Sequence, residues 1–163
     1  MPTVRPATPA DAAELVRLRG VMLASLDGTE PAAGPWQATA EAFLRTHLAR
    51  RDGSVAAYVV DRPDRPGGLA ACAVGSIEHR LPGPDNPTGA AGYIYNVATD
   101  PDQRRRGYSR ACVEQVLGWF RRHGVVKVDL RASAEGEPLY AALGFVRSTD
   151  PAMRLWLDPA PGA

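Results

Sequence analysis

At 163 residues the chain fits a single domain with a sizeable hydrophobic core. Its 19 Lys and Arg against 18 Asp and Glu leave a formal charge of +1, which argues against nucleic-acid binding by bulk electrostatics. Cys72 and Cys112 are the only cysteines and lack CxxC spacing, so neither a disulfide framework nor a zinc site is expected, and no metal is assigned. No apolar run reaches the length of a signal peptide or a bilayer span, so no membrane is expected among its partners and a reducing cytoplasm is the assumed location.

Residues 4–6 are a short strand candidate, and Thr8-Pro9-Ala10-Asp11 marks a helix start with Thr8 as N-cap and Pro9 at the first position. Leu15, Leu18, Met22 and Leu26 form the apolar stripe of that helix. A loop over 27–36 precedes a second helix at 38–50, closed by Gly53. Residues 55–61 and 68–79 read as strands about a turn, and 81–91 is too rich in Pro and Gly to be regular.

Residues 92–120 read as strand, turn and helix in direct succession. Residues 93–99 are aromatic and β-branched, as a half-buried strand requires. Residues 100–107 hold Asp-Pro, three arginines and a glycine, a turn composition. From Ser109 on, Val113, Val116, Leu117 and Phe120 repeat at helical spacing, and Gly124 stands where a left-handed C-cap belongs. A strand that turns into a helix N-terminus presents unpaired N–H groups and partial positive charge, a setting that suits a pyrophosphate. Arg104, Arg105, Arg106 and Arg110 add charge there, and Gly107 lets backbone approach a ligand closely. Neither a Walker loop nor GxGxxG is present.

Farther on, Val126, Val128 and Leu130 alternate with Lys127, Asp129 and Arg131, predicting a strand. A short helix ends at Gly144, residues 145–148 and 153–157 are expected to close the sheet, and 158–163 form a flexible tail. The order β-α-α-β-β-β-α-β-α-β-β implies an α/β (α+β type) layer fold with one central sheet.

Arg104-Arg105-Arg106-Gly107-Tyr108-Ser109 resembles the [QR]-x-x-G-x-[GA] acetyl-CoA loop of the GNAT superfamily of N-acetyltransferases, with Ser109 in place of Gly or Ala. Val97-Ala98-Thr99-Asp100-Pro101 resembles the strand end that leads into it, and Leu139-Tyr140-Ala141-Ala142-Leu143-Gly144-Phe145 is similar to the family's LYxxxGF segment. The resemblance spans roughly residues 4–157 and implies the GNAT fold, with a mixed, mostly antiparallel sheet, and acetyl-CoA as cofactor. It implies that residues 105–109 hold the pyrophosphate through backbone N–H groups. Val97, Ala98 and Thr99 would hold the pantetheine arm, one of their N–H groups polarising the thioester carbonyl. Ser133 stands where many members have a cofactor-binding Asn. Tyr140 is expected to protonate the departing thiolate.

These residues imply a single N-acetyltransferase domain in which a primary amine attacks acetyl-CoA directly in a ternary complex. The alternative is an acetyl-CoA-sensing module without turnover, against which Tyr140 speaks. Glu78 and His79, at a strand end, are candidate bases, with solvent exposure the competing reading for both. Tyr93 and Asn96 are candidates for the acceptor side. Asp27, Glu30 and Glu78 together would suit a cationic amine, and Trp36 offers either a flat apolar surface or a hydrophobic staple. The acceptor, a small molecule or a peptide, stays open, as does the choice between monomer and homodimer.

Overall fold

The computed structural model describes residues 1–50 and 53–158, so most of the tail expected at 158–163 lies outside the described residues. The chain forms two bodies, Met1–Arg131 and a smaller one from Ala132 on. The larger body holds a five-stranded sheet in sequential order: β1 (Arg5–Pro6), β2 (Val55–Asp61), β3 (Leu69–His79), β4 (Ala90–Thr99) and β5 (Lys127–Leu130). The first four strands are antiparallel, and β5 lies parallel to β4. The helices of this body are α1 (Ala12–Asp27), α2 (Pro35–Leu48) and α3 (Tyr108–Arg122).

One sheet face is covered by α1 and α2. Ala12, Leu15, Val16 and Leu18 of α1 and Leu44 of α2 join Val59, Leu69, Cys72, Val74 and Ala98 in the buried core. Leu26, taken from its spacing as part of this stripe, is 56% exposed, one residue before the helix ends at Asp27. The turn before α1 is fastened by Asp11, whose carboxylate accepts the Thr8 N–H at 2.7 Å and the Arg5 guanidinium at 2.9 Å. Pro35, preset for a first helical turn, opens α2 three residues before the expected start.

The other face carries α3, with Val113, Val116 and Phe120 fully buried. Two strand glycines admit this helix. A Cβ on Gly75 would lie 2.6 Å from Val116 Cγ1, and one on Gly92 2.9 Å from the Phe120 ring. The helix ends where expected, at a left-handed Gly124 (φ 70°).

The C-terminal body contains α4 (Glu137–Ala142), closed by Gly144 at φ 96° and by the Phe145 N–H donated to the Tyr140 carbonyl at 3.0 Å. The strands expected at 145–148 and 153–157 are absent, and both stretches are irregular. Val146, Met153, Leu155, Trp156 and Leu157 are each more than 80% exposed. The apolar residues there suit strands, but among the described residues no neighbouring strand supplies a ladder for them.

Candidate active site

The end of β4 carries the candidate site, and a bulge shapes it. Cys72 pairs with Ala98 and Val74 with Tyr95, so Asn96 and Val97 stand opposite the single residue Ala73. Asn96 takes φ 52°, a conformation that Asn tolerates better than most residues. On its other side β4 pairs with β5 only from Ala91 to Ile94. From Tyr95 to Thr99 no strand among the described residues pairs with that edge, which leaves backbone groups of Val97, Ala98 and Thr99 available to a ligand.

The loop after β4 is held from below. Asp100 is 3% exposed and its carboxylate accepts hydrogen bonds from Arg17 (2.7 and 3.0 Å) and Arg62 (2.7 Å). Burial alone would raise the Asp100 pKa, but the hydrogen bonds from both arginines outweigh it and hold the carboxyl below its ordinary range. Above this anchor the chain takes left-handed conformations at Arg105 (φ 64°) and Gly107 (φ 77°) and then enters α3. The N–H groups of residues 104–107 have no backbone partner among the described residues, and those of Tyr108, Ser109 and Arg110 lie in the first turn of α3. Alternating backbone conformations of this kind point N–H groups into one concavity that suits an anion.

Arg104, Arg105 and Arg106 are exposed and make no ion pair among the described residues, whereas Arg110 is paired with Glu114 at 3.0 Å. Thr99 Oγ1 and Ser109 Oγ lie 2.6 Å apart, tying the strand end to the helix start. No side chain lies within 4 Å of a Cβ built on Gly107, so the space over the loop is open. Such a cradle fits the pyrophosphate of coenzyme A.

Tyr140 belongs to the C-terminal body, on α4, with its ring edge-on to Phe145 at 6.0 Å. Burial pushes its hydroxyl pKa up, so the group keeps its proton at neutral pH. Ser133 Oγ accepts the Gly136 N–H at 3.1 Å and so shapes the turn before α4. Glu78 is exposed on β3, its carboxylate bound by Arg80, and it pairs in register with Ala91. Six residues separate Ala91 from Val97, roughly 20 Å along a strand. His79 is also exposed.

A cavity of about 500 Å³ opens between α1, α2 and β4, lined by Leu15, Trp36, Phe43, Val74 and other apolar side chains, with Arg19, Thr39, Tyr95 and Asn96 as its polar members. Asp27, Glu30 and Glu78 are exposed and line no part of it. Trp36, left open between two readings, lines the cavity and donates its indole N–H to the Ala32 carbonyl at 3.0 Å. Tyr93 lies outside the lining. Arg19 was missed in the sequence, since an arginine amid a helical stripe reads as solvated surface. The bulge had a faint signal, an Asn within a strand of β-branched and aromatic residues. Both cysteines are buried, and burial pushes the Cys112 thiol up to about 12, with Cys72 higher still. Among the described residues no group of side chains could hold a metal ion, and no helix is long and apolar enough to cross a membrane.

The profile of the Acetyltransferase (GNAT) family matches residues 22–145, well over half of the chain. The chain belongs to this family. This is a family of acyltransferases, and the matched span includes the end of β4, the loop before α3, and α4. Among curated proteins it is 37% identical over 59 residues to [Ribosomal protein bS18]-alanine N-acetyltransferase of Escherichia coli K12, and 39% to that of Salmonella typhimurium. Each match covers 34% of this chain and 40% of the relative's length. Among solved structures, a predicted acetyltransferase with acetyl-CoA from Clostridium acetobutylicum superposes with a TM-score of 0.79 at 24% identity, covering 98% of this chain and 96% of that one. Glucosamine-6-phosphate N-acetyltransferase from Arabidopsis thaliana superposes at 0.75 and 19% identity, with 97% and 99% covered. At these identities the likeness establishes the α/β fold.

Proposed function

We propose that this chain transfers the acetyl group of acetyl-CoA to an amine by direct attack within a ternary complex. The observation that carries this reading is the cradle of unpaired N–H groups at Arg105–Ser109, beside the open edge of β4. The match over 22–145 runs through both bodies, which supports treating them as one catalytic domain. Acetyl-CoA supplies the acyl group as a thioester, so a new N–C bond forms at the carbonyl carbon as the C–S bond breaks and coenzyme A thiol is released.

Backbone N–H groups of residues 105–109 hold the pyrophosphate, and Arg104, Arg105 and Arg106 screen its charge. Arg110 contributes less, because Glu114 already neutralises it. Val97, Ala98 and Thr99 align the pantetheine arm by strand-like hydrogen bonds. One of their N–H groups donates to the carbonyl oxygen as it gains charge, an interaction worth roughly 3 kcal/mol in other acyl-transfer enzymes. Tyr140, neutral at pH 7, donates its proton to the leaving sulfur. The amine proton passes to water; Glu78, bound by Arg80 and in register with Ala91 at the far end of β4, is not placed to take it directly. Ser133 shapes the turn before α4 and is assigned a contact with the cofactor, as its place in the family resemblance implies.

Neither Cys72 nor Cys112 offers a thiolate at neutral pH, which favours direct transfer over an acetyl-cysteine. The test is release of coenzyme A thiol from acetyl-CoA with and without amine. Amine-dependent release with sequential kinetics supports the reading, whereas parallel double-reciprocal lines would replace it with a covalent route. Binding without any release across a broad amine panel would make the chain a sensor.

A further inference from the structure

We infer that the acceptor is an apolar, ring-sized amine bearing a carboxylate, seated in the cavity between α1, α2 and β4 with its acid on Arg19 and its amine on Asn96 Oδ1. This rests on the acetyltransferase reading and gives it a substrate class. A volume of about 500 Å³ suits a small ligand and not a folded protein surface. Its walls are mainly aliphatic and aromatic, with Trp36 and Phe43 offering flat faces to a ring.

The charge inside is one-sided. Arg19 is the cavity's only charged lining residue, and no Asp or Glu faces it. A polyamine or an aminoglycoside would bring several positive charges to a low-dielectric space that already holds one. A carboxylate meets the opposite situation. Arg19 is half-buried and makes no ion pair or hydrogen bond among the described residues, unlike Arg17 two positions earlier, which is bound to Glu14 and Asp100. A planar guanidinium with its donors free is suited to bidentate capture of a carboxylate.

The second polar anchor is Asn96. It is 7% exposed, lines the cavity, and its Oδ1 has no partner, while its Nδ2 donates weakly to Cys72 Sγ at 3.8 Å. A buried carbonyl oxygen without a donor is costly; this one is closed off from solvent, so a neutral amine N–H relieves it once the Asn96 side chain turns toward the cavity. Asn96 also adjoins Val97 at the bulge, so an amine held there sits next to the strand edge assigned to the thioester. The amine must be neutral to attack, so it sheds its proton before or on entering the site.

The experiment compares phenylalanine, its decarboxylated counterpart phenethylamine, and spermidine, on wild type and on Arg19→Gln. Acceptor binding is measured by calorimetry on coenzyme A-saturated protein, and turnover by thiol release. Wild type should favour phenylalanine over phenethylamine by about 10- to 100-fold, the range for a hydrogen-bonded charge. Arg19→Gln should collapse that ratio toward one without altering coenzyme A affinity. A preference for spermidine, equal use of the two phenyl compounds, an unaltered ratio in the variant, or no acceptance of phenylalanine would each overturn the inference. The acetyltransferase reading survives all four as long as coenzyme A binds and some amine is acetylated, so the two claims fail separately.

Discussion

The loop at the N-terminus of α3 and the cavity beneath α1 and α2 meet at the end of β4 yet obey opposite rules. The loop is contiguous, basic and made of backbone, so six neighbouring residues suffice to announce it. The cavity is assembled from α1, α2, β3 and β4, is lined mainly by apolar side chains, and holds one cation. The loop proposed to hold the family's common cofactor is written in one short stretch. The cavity proposed for the acceptor is distributed over some eighty residues, in which apolar side chains look like ordinary core. The lesson is that contiguous backbone sites are legible early and side-chain cavities only after folding.

The largest effect expected separates catalysis from both sites. Tyr140→Phe keeps the ring and its contact with Phe145 but removes the proton donor, so kcat should fall by roughly 10²–10⁴ with coenzyme A affinity nearly unchanged. Single-turnover rates check this, and wild-type turnover would return Tyr140 to a packing role. Gly107→Val comes next. A β-branched residue at φ 77° costs on the order of 1–3 kcal/mol, and its side chain occupies space assigned to the pyrophosphate. Coenzyme A affinity should drop at least tenfold while the dissociation constant of an acceptor changes little. Equal loss on both sides would erase the contrast drawn here.

Gly92→Val probes the fold beneath both sites. With a Cβ 2.9 Å from the Phe120 ring, overpacking should cost about 1–3 kcal/mol, read as a lower denaturation midpoint at constant slope. The smallest effect is in pH. Hydrogen bonds from Arg5 hold Asp11 below its ordinary range, and those from Arg17 and Arg62 do the same for Asp100 against the opposing push of burial. Folded pKa values lie under the unfolded ones, so this stability is fully present above about pH 4 and is lost as pH falls through the folded values. Asp100→Asn should flatten the acid limb of a pH–stability curve. An unchanged limb would remove Asp100 as the loop's anchor.

Much of the fold was legible because its signals are local. Residues 55–61 emerge with the expected bounds, and α3 follows its stripe of Val113, Val116 and Phe120 to Gly124. The strands expected at 145–148 and 153–157 fail for the complementary reason: apolar composition favours a strand, while pairing requires a free edge brought to it from elsewhere. The bulge at Asn96 and Val97 depends on register with β3, which no local pattern encodes. Acidic residues 27, 30 and 78 suggested a cationic acceptor by composition alone, and the folded chain leaves them off the cavity.

The most direct measurement is the melting temperature of the purified protein with and without acetyl-CoA. At about a hundred times its dissociation constant the ligand should add about 2.7 kcal/mol, a rise of roughly 5–10 °C for a domain of this size. Wild type should show that rise and Gly107→Val should lose most of it. An unchanged melting temperature at saturating acetyl-CoA would contradict the account.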